Sequence, residues 1–206
     1  MRTDQYTDVV RRRLYATRSR VLEDQRVGPG SAMVGVRSET VALTPMDIYV
    51  VVTQVDTATG PMVRDFCAHA DAYAKRMAGG TVGWVTAAST IAAVVANRSD
   101  HEAQVFAGQQ TQVGFGTTLR PVLVDLSTGN VVCWLGDRIV GALVMSSVNT
   151  NVRRHFPLPA EASAELAGPP AAGPQHPGAH PGPHPGPQGP PPPAPHGAAG
   201  PPPAGG

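Results

Sequence analysis

The sequence is poor in several residue types that mark common classes of protein. It has one lysine, Lys75, and two cysteines, Cys67 and Cys133, which form no C-x-x-C pair. Two distant cysteines do not make a disulfide framework or a cysteine-based metal site, so we expect both thiols to be reduced and buried. The formal net charge is only +1, which argues against a protein drawn to nucleic acid or to an anionic membrane by its overall field.

The sequence also lacks an apolar run near its start, which argues against a secretory signal and favours a cytoplasmic protein. Its basic residues are almost all arginine, and Ala, Gly and Pro are abundant, a composition typical of GC-rich coding that indicates a bacterial source. Arginines cluster early, at positions 11, 12, 13, 18 and 20, but acidic residues surround them and no aromatic platform accompanies them. We therefore expect no nucleic-acid partner.

Composition changes abruptly at Pro157. From Leu166 onward the chain has no charged residue and no apolar side chain larger than Ala beyond Leu166 itself. Ordering a residue costs about 1–2 kcal/mol, and this segment has no apolar side chains to offset that cost. The sequence therefore predicts a disordered tail over residues 157–206, rich in Pro, Gly, Ala and His.

Within this tail His-Pro-Gly occurs three times, starting at His176, His180 and His184. These histidines are weak candidates for a metal site, because no carboxylate or thiol lies nearby to complete one. The proline run that follows resembles ligands of polyproline-binding grooves but lacks an orienting Arg or Lys. A spacer or tether is the interpretation we favour, and we expect no cofactor.

Before Pro157 the periodicity of apolar residues predicts alternating helices and strands. We expect a helix over 4–24, two strands before residue 56, and a helix over 60–78 with a core stripe at Met62, Phe66, Ala70, Tyr73 and Met77. A strand follows, then a helix opened by a capping box at Ser99, a hairpin of 122–126 with 131–135, and a helix ending near His155. The fold class is thus α/β or α+β, a single mixed sheet packed by about three helices. The expected organisation is an N-terminal helix or linker over 1–30, a small domain over 31–156 and the tail.

Four residues are weak candidates for catalysis because they fall where strands end: Asp56, Asp100, His101 and Asp125. Each also has a structural explanation, since acids at such positions commonly cap helices or form turns. No nucleophile motif, phosphate loop, zinc motif or dinucleotide fingerprint occurs in the sequence.

One uncharged stretch, residues 77–96, has the length of a membrane span but few strongly apolar residues, so we expect a buried strand there. The main hypothesis is therefore a non-enzymatic interaction or accessory protein, which binds a protein partner through its domain surface or its Pro-rich tail. The first alternative is a hydrolase- or nuclease-like enzyme that uses acids at strand ends. The second is a membrane-associated protein that uses residues 77–96.

Overall fold

A computed structural model describes residues 1–41, 43–79, 87–110, 112–114, 117–136 and 142–168, with only the backbone for 112–114 and 142–143. The chain divides into two units, Met1–Pro170 and Ala171–Gly206. All described residues belong to the first unit. The His-Pro-Gly repeats at His176, His180 and His184 lie outside the described residues.

Five helices and seven strands follow one another in the described part of the first unit. In chain order they are α1 (Thr3–Ala16), β1 (Arg20–Val27), β2 (Gly30–Val41), β3 (Thr44–Ala58), α2 (Gly60–Ala78), β4 (Ala87–Ser99), α3 (His101–Ala107), β5 (Gln112–Gly114), β6 (Thr117–Asp125), β7 (Asn130–Val132), α4 (Ala142–His155) and α5 (Pro159–Ala167).

The strands form one mixed sheet, in the order β1-β2-β3-β4-β6-β5, with β7 also beside β6. β1, β2 and β3 make an antiparallel meander, whereas β3, β4 and β6 run parallel. Parallel neighbours need a crossover connection, and α2 provides it between β3 and β4. The predicted α/β class with a single mixed sheet is therefore confirmed.

Helices cover both faces of the sheet. Because side chains alternate along a strand, Tyr49 and Val51 of β3 pack with α2 and α3, while Ile48 and Val50 pack with α1, α4 and α5. We call these two sides the α2 face and the α1 face. β3 and β4 are thus buried on both faces, which explains the continuous apolar runs in their sequences.

The helix predicted over 4–24 is wrong beyond Ala16. Arg18 adopts a positive φ of 58°, and residues 20–27 form edge strand β1 paired with β2. Val21 packs on the α1 face and Leu22 on the α2 face, an alternation that a strand satisfies and a helix does not. The first 30 residues therefore contribute a helix and a strand to the folded unit.

Helix α5 occupies residues that the sequence assigns to the tail. Pro159 lies in its first turn, where proline is well tolerated, and Ala162 is fully buried. The Tyr6 hydroxyl donates a 2.7 Å hydrogen bond to the Pro157 carbonyl. The prediction of disorder from residue 157 is thus wrong for residues 157–168, and residues 169–206 lie outside the described part of the chain.

Helix α2 has the predicted bounds, but its buried stripe differs by one position. Ala70 and Tyr73 are buried as expected, whereas Met62 and Phe66 are half-buried and Met77 is 45% exposed. The smaller neighbouring residues face the sheet instead, because they let the helix lie close to the strands. The α2 residues that belong to the buried apolar core on this face are Val63, Cys67, Ala70, Tyr73 and Ala74.

The predicted hairpin of 122–126 with 131–135 is confirmed in place but is shorter, since Leu123, Val124 and Asp125 pair with Val132, Val131 and Asn130 and residues 133–135 form no strand. The predicted capping box at Ser99 is wrong, because Ser99 ends β4 and Asp100 caps α3. The helix predicted to end near His155 is α4, which is described from Ala142.

Of residues 77–96, the structure describes 77–79, at the end of α2, and 87–96, which form most of β4. Residues 80–86 lie outside the described residues. Among the described helices, none has the length and apolar character needed to cross a membrane.

Candidate functional site

The predicted site residues all lie near the carboxyl ends of the parallel strands, but they have separate contacts. Asp56, near the end of β3, is exposed and accepts a 3.0 Å hydrogen bond from Asn97 Nδ2 and a 3.3 Å bond from Arg98 Nη2. The hydrogen bond from Asn97, followed by that from Thr57 and by the positive charge of Arg98, lowers the pKa of Asp56. This carboxylate is therefore ionised and paired on the surface.

Asp125, at the end of β6, is buried and holds the β6–β7 turn. Its Oδ1 accepts hydrogen bonds from the Ser127 amide (2.9 Å), the Ser127 hydroxyl (2.6 Å) and the Thr128 amide (3.1 Å). The Ser99 hydroxyl donates to Oδ2 from the end of β4. Burial raises the pKa of Asp125, but these hydrogen bonds outweigh it and lower the pKa below its usual value.

Asp100 and His101 lie where β4 runs into α3. The Asp100 carboxylate accepts a 2.7 Å hydrogen bond from the Ala103 amide, which is the role of an N-cap. His101 is the first residue of the helix and is exposed. Among the described contacts, none joins Asp56, Asp100, His101 and Asp125 into one cluster, so a catalytic role for them stays a prediction.

The described residues contain no group of three or more His, Cys, Asp or Glu side chains placed to hold a metal ion.

The sheet has an open strand edge that the sequence did not reveal. The ladder between β2 and β3 begins where Val41 pairs with Thr44 and ends where Met33 pairs with Val52. β3 continues to Ala58, paired with β4 on its other side. In the described part of the chain, β3 from Thr53 to Ala58 thus has a strand neighbour on one side only. We call residues 53–57 the open edge of β3.

The β1–β2 hairpin diverges from β3 at this point. Gly30, Ser31 and Ala32 pair with β1 alone. The Thr53 hydroxyl donates a 3.3 Å hydrogen bond to the Ser31 carbonyl, which marks where the two strands separate. Beyond this contact, no described strand pairs with β3 on this side, and Ser31 of β2 and Thr53 of β3 both line clefts there.

An apolar cleft lies beside the open edge on the α2 face. It has a volume of about 470 Å³. The turn between β1 and β2 forms one wall, Val55 of β3 lies at its base, and the first turns of α2 form the other wall. Its apolar side chains are Val27, Pro29, Val55, Pro61, Met62 and Phe66. We call this the apolar cleft.

Polar groups line the same cleft between the apolar ones. Thr53 and Thr59 carry hydroxyls, and Asp65 and His69 project from exposed positions of α2. Gly28, with a φ of 62°, lets the hairpin turn approach the ring of His69.

A polar cleft of about 300 Å³ lies beside the same edge on the α1 face. Gln54, Arg11, Glu23 and Asp24 are among its lining residues, and Ser31 and Thr53 line both clefts. Arg11 is paired with Glu23 at 2.8 Å and also with Asp8. The open edge therefore separates an apolar surface from a polar one.

A third cleft, of about 430 Å³, lies between β2 and α4. Arg37 donates to Glu39 at 2.6 Å and to Asn151 at 3.1 Å, and Ser147 donates to Glu39. Two of its charged residues, Arg37 and Glu39, thus bind each other, while Arg154 also lines the cleft, and its lining has fewer apolar side chains than that of the apolar cleft.

Comparison with known proteins adds no further indication of function, since no protein-family model, no curated protein and no solved structure matches this chain.

Proposed function

We propose that this chain is a non-enzymatic interaction protein whose folded unit binds a protein partner through the apolar cleft. The observation that supports this most is the cleft itself, between the β1–β2 turn, Val55 and the first turns of α2. Its volume of about 470 Å³ falls in the range of about 300–1,000 Å³ that is typical of small-molecule pockets, so it has room for an apolar side chain of a partner.

The lining of the cleft suits an apolar anchor from a partner. Met62 and Phe66 are half-buried, so part of their apolar surface stays in contact with water in the free protein. Burying one partner side chain of Leu or Phe size contributes about 1.5–3 kcal/mol. The hydroxyls of Thr53 and Thr59 and the carboxylate of Asp65 would orient such a ligand through hydrogen bonds.

The Pro-rich segment after Gly168 is the tether in this proposal. It has no charged residue and no large apolar side chain, a composition that provides reach with little affinity of its own. The folded unit would then supply the specific contact.

The test begins by placing a photo-crosslinking amino acid at Phe66 of the full chain in cells, with the same substitution at Val105 as control. Val105 lies on α3, is 49% exposed, and does not line the apolar cleft. A partner identified from position 66 alone is then purified, and its Kd is measured against wild type, Met62→Arg and Val105→Arg.

We expect Met62→Arg to weaken binding at least tenfold, which corresponds to about 1.4 kcal/mol, and Val105→Arg to leave it unchanged. Equal effects of both changes, or a purified partner that binds Met62→Arg as tightly as wild type, would refute the proposal. Turnover of a substrate that is lost in Asp125→Ala or His101→Ala without unfolding would favour the enzyme alternative.

A further inference from the structure

We propose that the partner binds as an extended peptide that adds a strand to the open edge of β3, with its side chains alternately apolar and basic. This inference rests on the proposed function and specifies the chemistry of the ligand. Three independent features of the described residues lead to it: the main chain of the edge, the two clefts beside it, and the charges that surround them.

The first feature is the main chain of the open edge. β3 is held by β4 through residues as far as Ala58, whereas its ladder with β2 ends at Val52. Gln54, Asp56 and Thr57 are exposed to solvent, and no described strand pairs with them on the side away from β4. An exposed strand edge presents unpaired N–H and C=O groups, and strand addition is a common mode of peptide recognition.

The second feature is the different character of the two faces at this edge. Val55, Met62 and Phe66 line the apolar cleft on the α2 face, while Gln54 and Asp24 line the polar cleft on the α1 face. Successive side chains of an added strand point to opposite faces. A ligand strand must therefore alternate, with apolar residues towards the α2 face and polar residues towards the α1 face.

The third feature is the charge near the edge. Asp24 in the polar cleft and Asp65 in the apolar cleft are exposed, and neither forms an ion pair with a described residue. The one arginine of the polar cleft, Arg11, is already paired with Asp8 and Glu23. Lys or Arg at the polar positions of the ligand therefore complements Asp24, whereas Glu or Asp would be repelled.

The probe is an acetylated and amidated nine-residue peptide in which Val or Leu alternates with Lys, titrated by calorimetry into the full chain. Two matched peptides serve as controls. One carries N-methyl groups on alternate residues, which removes N–H donors while it keeps every side chain, and the other replaces each Lys by Glu.

We expect the alternating peptide to bind, with at least tenfold loss of affinity for the N-methylated peptide and for the Glu peptide. Met62→Arg should weaken binding at least tenfold, and Asp24→Lys should narrow the preference for the Lys peptide over the Glu peptide. Val105→Arg should change neither.

The outcomes separate this inference from the proposed function. Equal binding of the N-methylated peptide would overturn strand addition and leave the apolar cleft as the contact site. Peptide binding that Met62→Arg does not affect would overturn both. If no alternating peptide binds, but Met62→Arg weakens binding of the crosslinked partner, this inference alone would be overturned. Self-association of the chain by sedimentation that Met62→Arg abolishes would identify a second copy as the occupant and overturn the peptide as the ligand.

Discussion

The imidazole ring of His69 lies directly against Gly28. A β carbon at position 28 would come within 2.5 Å of the Cγ atom of His69, and Gly28 has a φ of 62°, in the left-handed region. Both constraints favour glycine. This contact joins the turn after β1 to the middle of α2, so it sets the distance between two walls of the apolar cleft.

Gly28→Ala should therefore destabilise the folded unit by about 1–3 kcal/mol, because it adds a strained φ and a close contact with His69. Gly30→Ala is the matched control, since a β carbon there would meet nothing within 4 Å. The measurement is the urea midpoint of unfolding for both variants. Equal shifts in the two midpoints would contradict the role assigned to the His69 contact.

Asp125→Ala should destabilise the protein by about 1–3 kcal/mol at pH 7, because it removes the buried carboxylate that accepts hydrogen bonds from Ser127 and Thr128 in the β6–β7 turn. Asp56→Ala, at an exposed carboxylate, should change stability by less than about 0.5 kcal/mol. Chemical denaturation of both variants measures the difference.

The stabilisation by Asp125 should also depend on pH. Its pKa is lower in the folded protein than in the unfolded chain, so the contribution is present above the unfolded pKa of about 4 and is lost as pH falls through the folded pKa. The stability difference between wild type and Asp125→Ala should thus shrink below about pH 4. A difference that stays constant down to pH 2 would contradict this account.

His155 should make the protein sensitive to mild acid. Burial, with the nearby charges of Arg37, Arg154 and Arg13, lowers its pKa to about 4. The unfolded chain takes up this proton near pH 6.5, whereas the folded protein takes it up only near pH 4. The free energy of unfolding therefore falls by up to about 3 kcal/mol as the pH drops from about 6.5 to about 4, and His155 causes no further decrease below that pH. His155→Leu should remove that slope in denaturation measured at several pH values, and a variant that keeps it would locate the effect elsewhere.

The two cysteines are free, and their thiols should react slowly in the native protein. Burial raises the pKa of Cys67 to about 12 and also raises the pKa of the less buried Cys133. A thiol reagent at pH 8 should therefore modify Cys133 before Cys67, and both rapidly in denaturant. The Cys67→Ser variant shows which kinetic phase of thiol modification belongs to Cys67. If this variant lacks the faster phase of the native protein, Cys67 reacts before Cys133 and the prediction is wrong.

Two truncations should separate α5 from the segment that follows it. Removing residues 157–206 deletes the Pro157 acceptor of Tyr6, the Glu165 partner of Arg13 and buried Ala162, whereas removing residues 169–206 keeps all three. We expect the first truncation to have the lower Tm, by several degrees, because each kcal/mol shifts the Tm of a domain this size by about 2–4 °C. Identical Tm values would show that α5 contributes nothing to stability.

Local signals in the sequence were sufficient for several elements. Ile48 to Val52 are β-branched or aromatic, and they form the centre of β3. Pro61 lies in the first turn of α2 and Gly79 follows its last residue, as the composition of that segment indicates, and the turn residues after Asp125 join β6 to β7. In each case neighbouring residues carry the information.

Other features depend on contacts between distant residues. Val21 and Leu22 fit either a helix or a strand, and pairing with β2 decides between them. Asp125 receives a hydrogen bond from Ser99, which is 26 residues earlier, so its burial could not be read from its neighbours. The open edge of β3 was missed for the same reason, since it exists only because β2 pairs with fewer residues of β3 than β4 does.

The contact between the two ends of the folded unit constrains the order in which the protein can fold. Tyr6 and Pro157 are 151 residues apart, and Arg13 and Glu165 are 152 apart. A growing chain makes α1 first and α5 last, so the buried face of α1 lacks part of its covering until translation has passed residue 165. Folding of this unit is therefore completed only at the end of its synthesis, and a chain stalled earlier exposes Tyr6 and its apolar neighbours to aggregation.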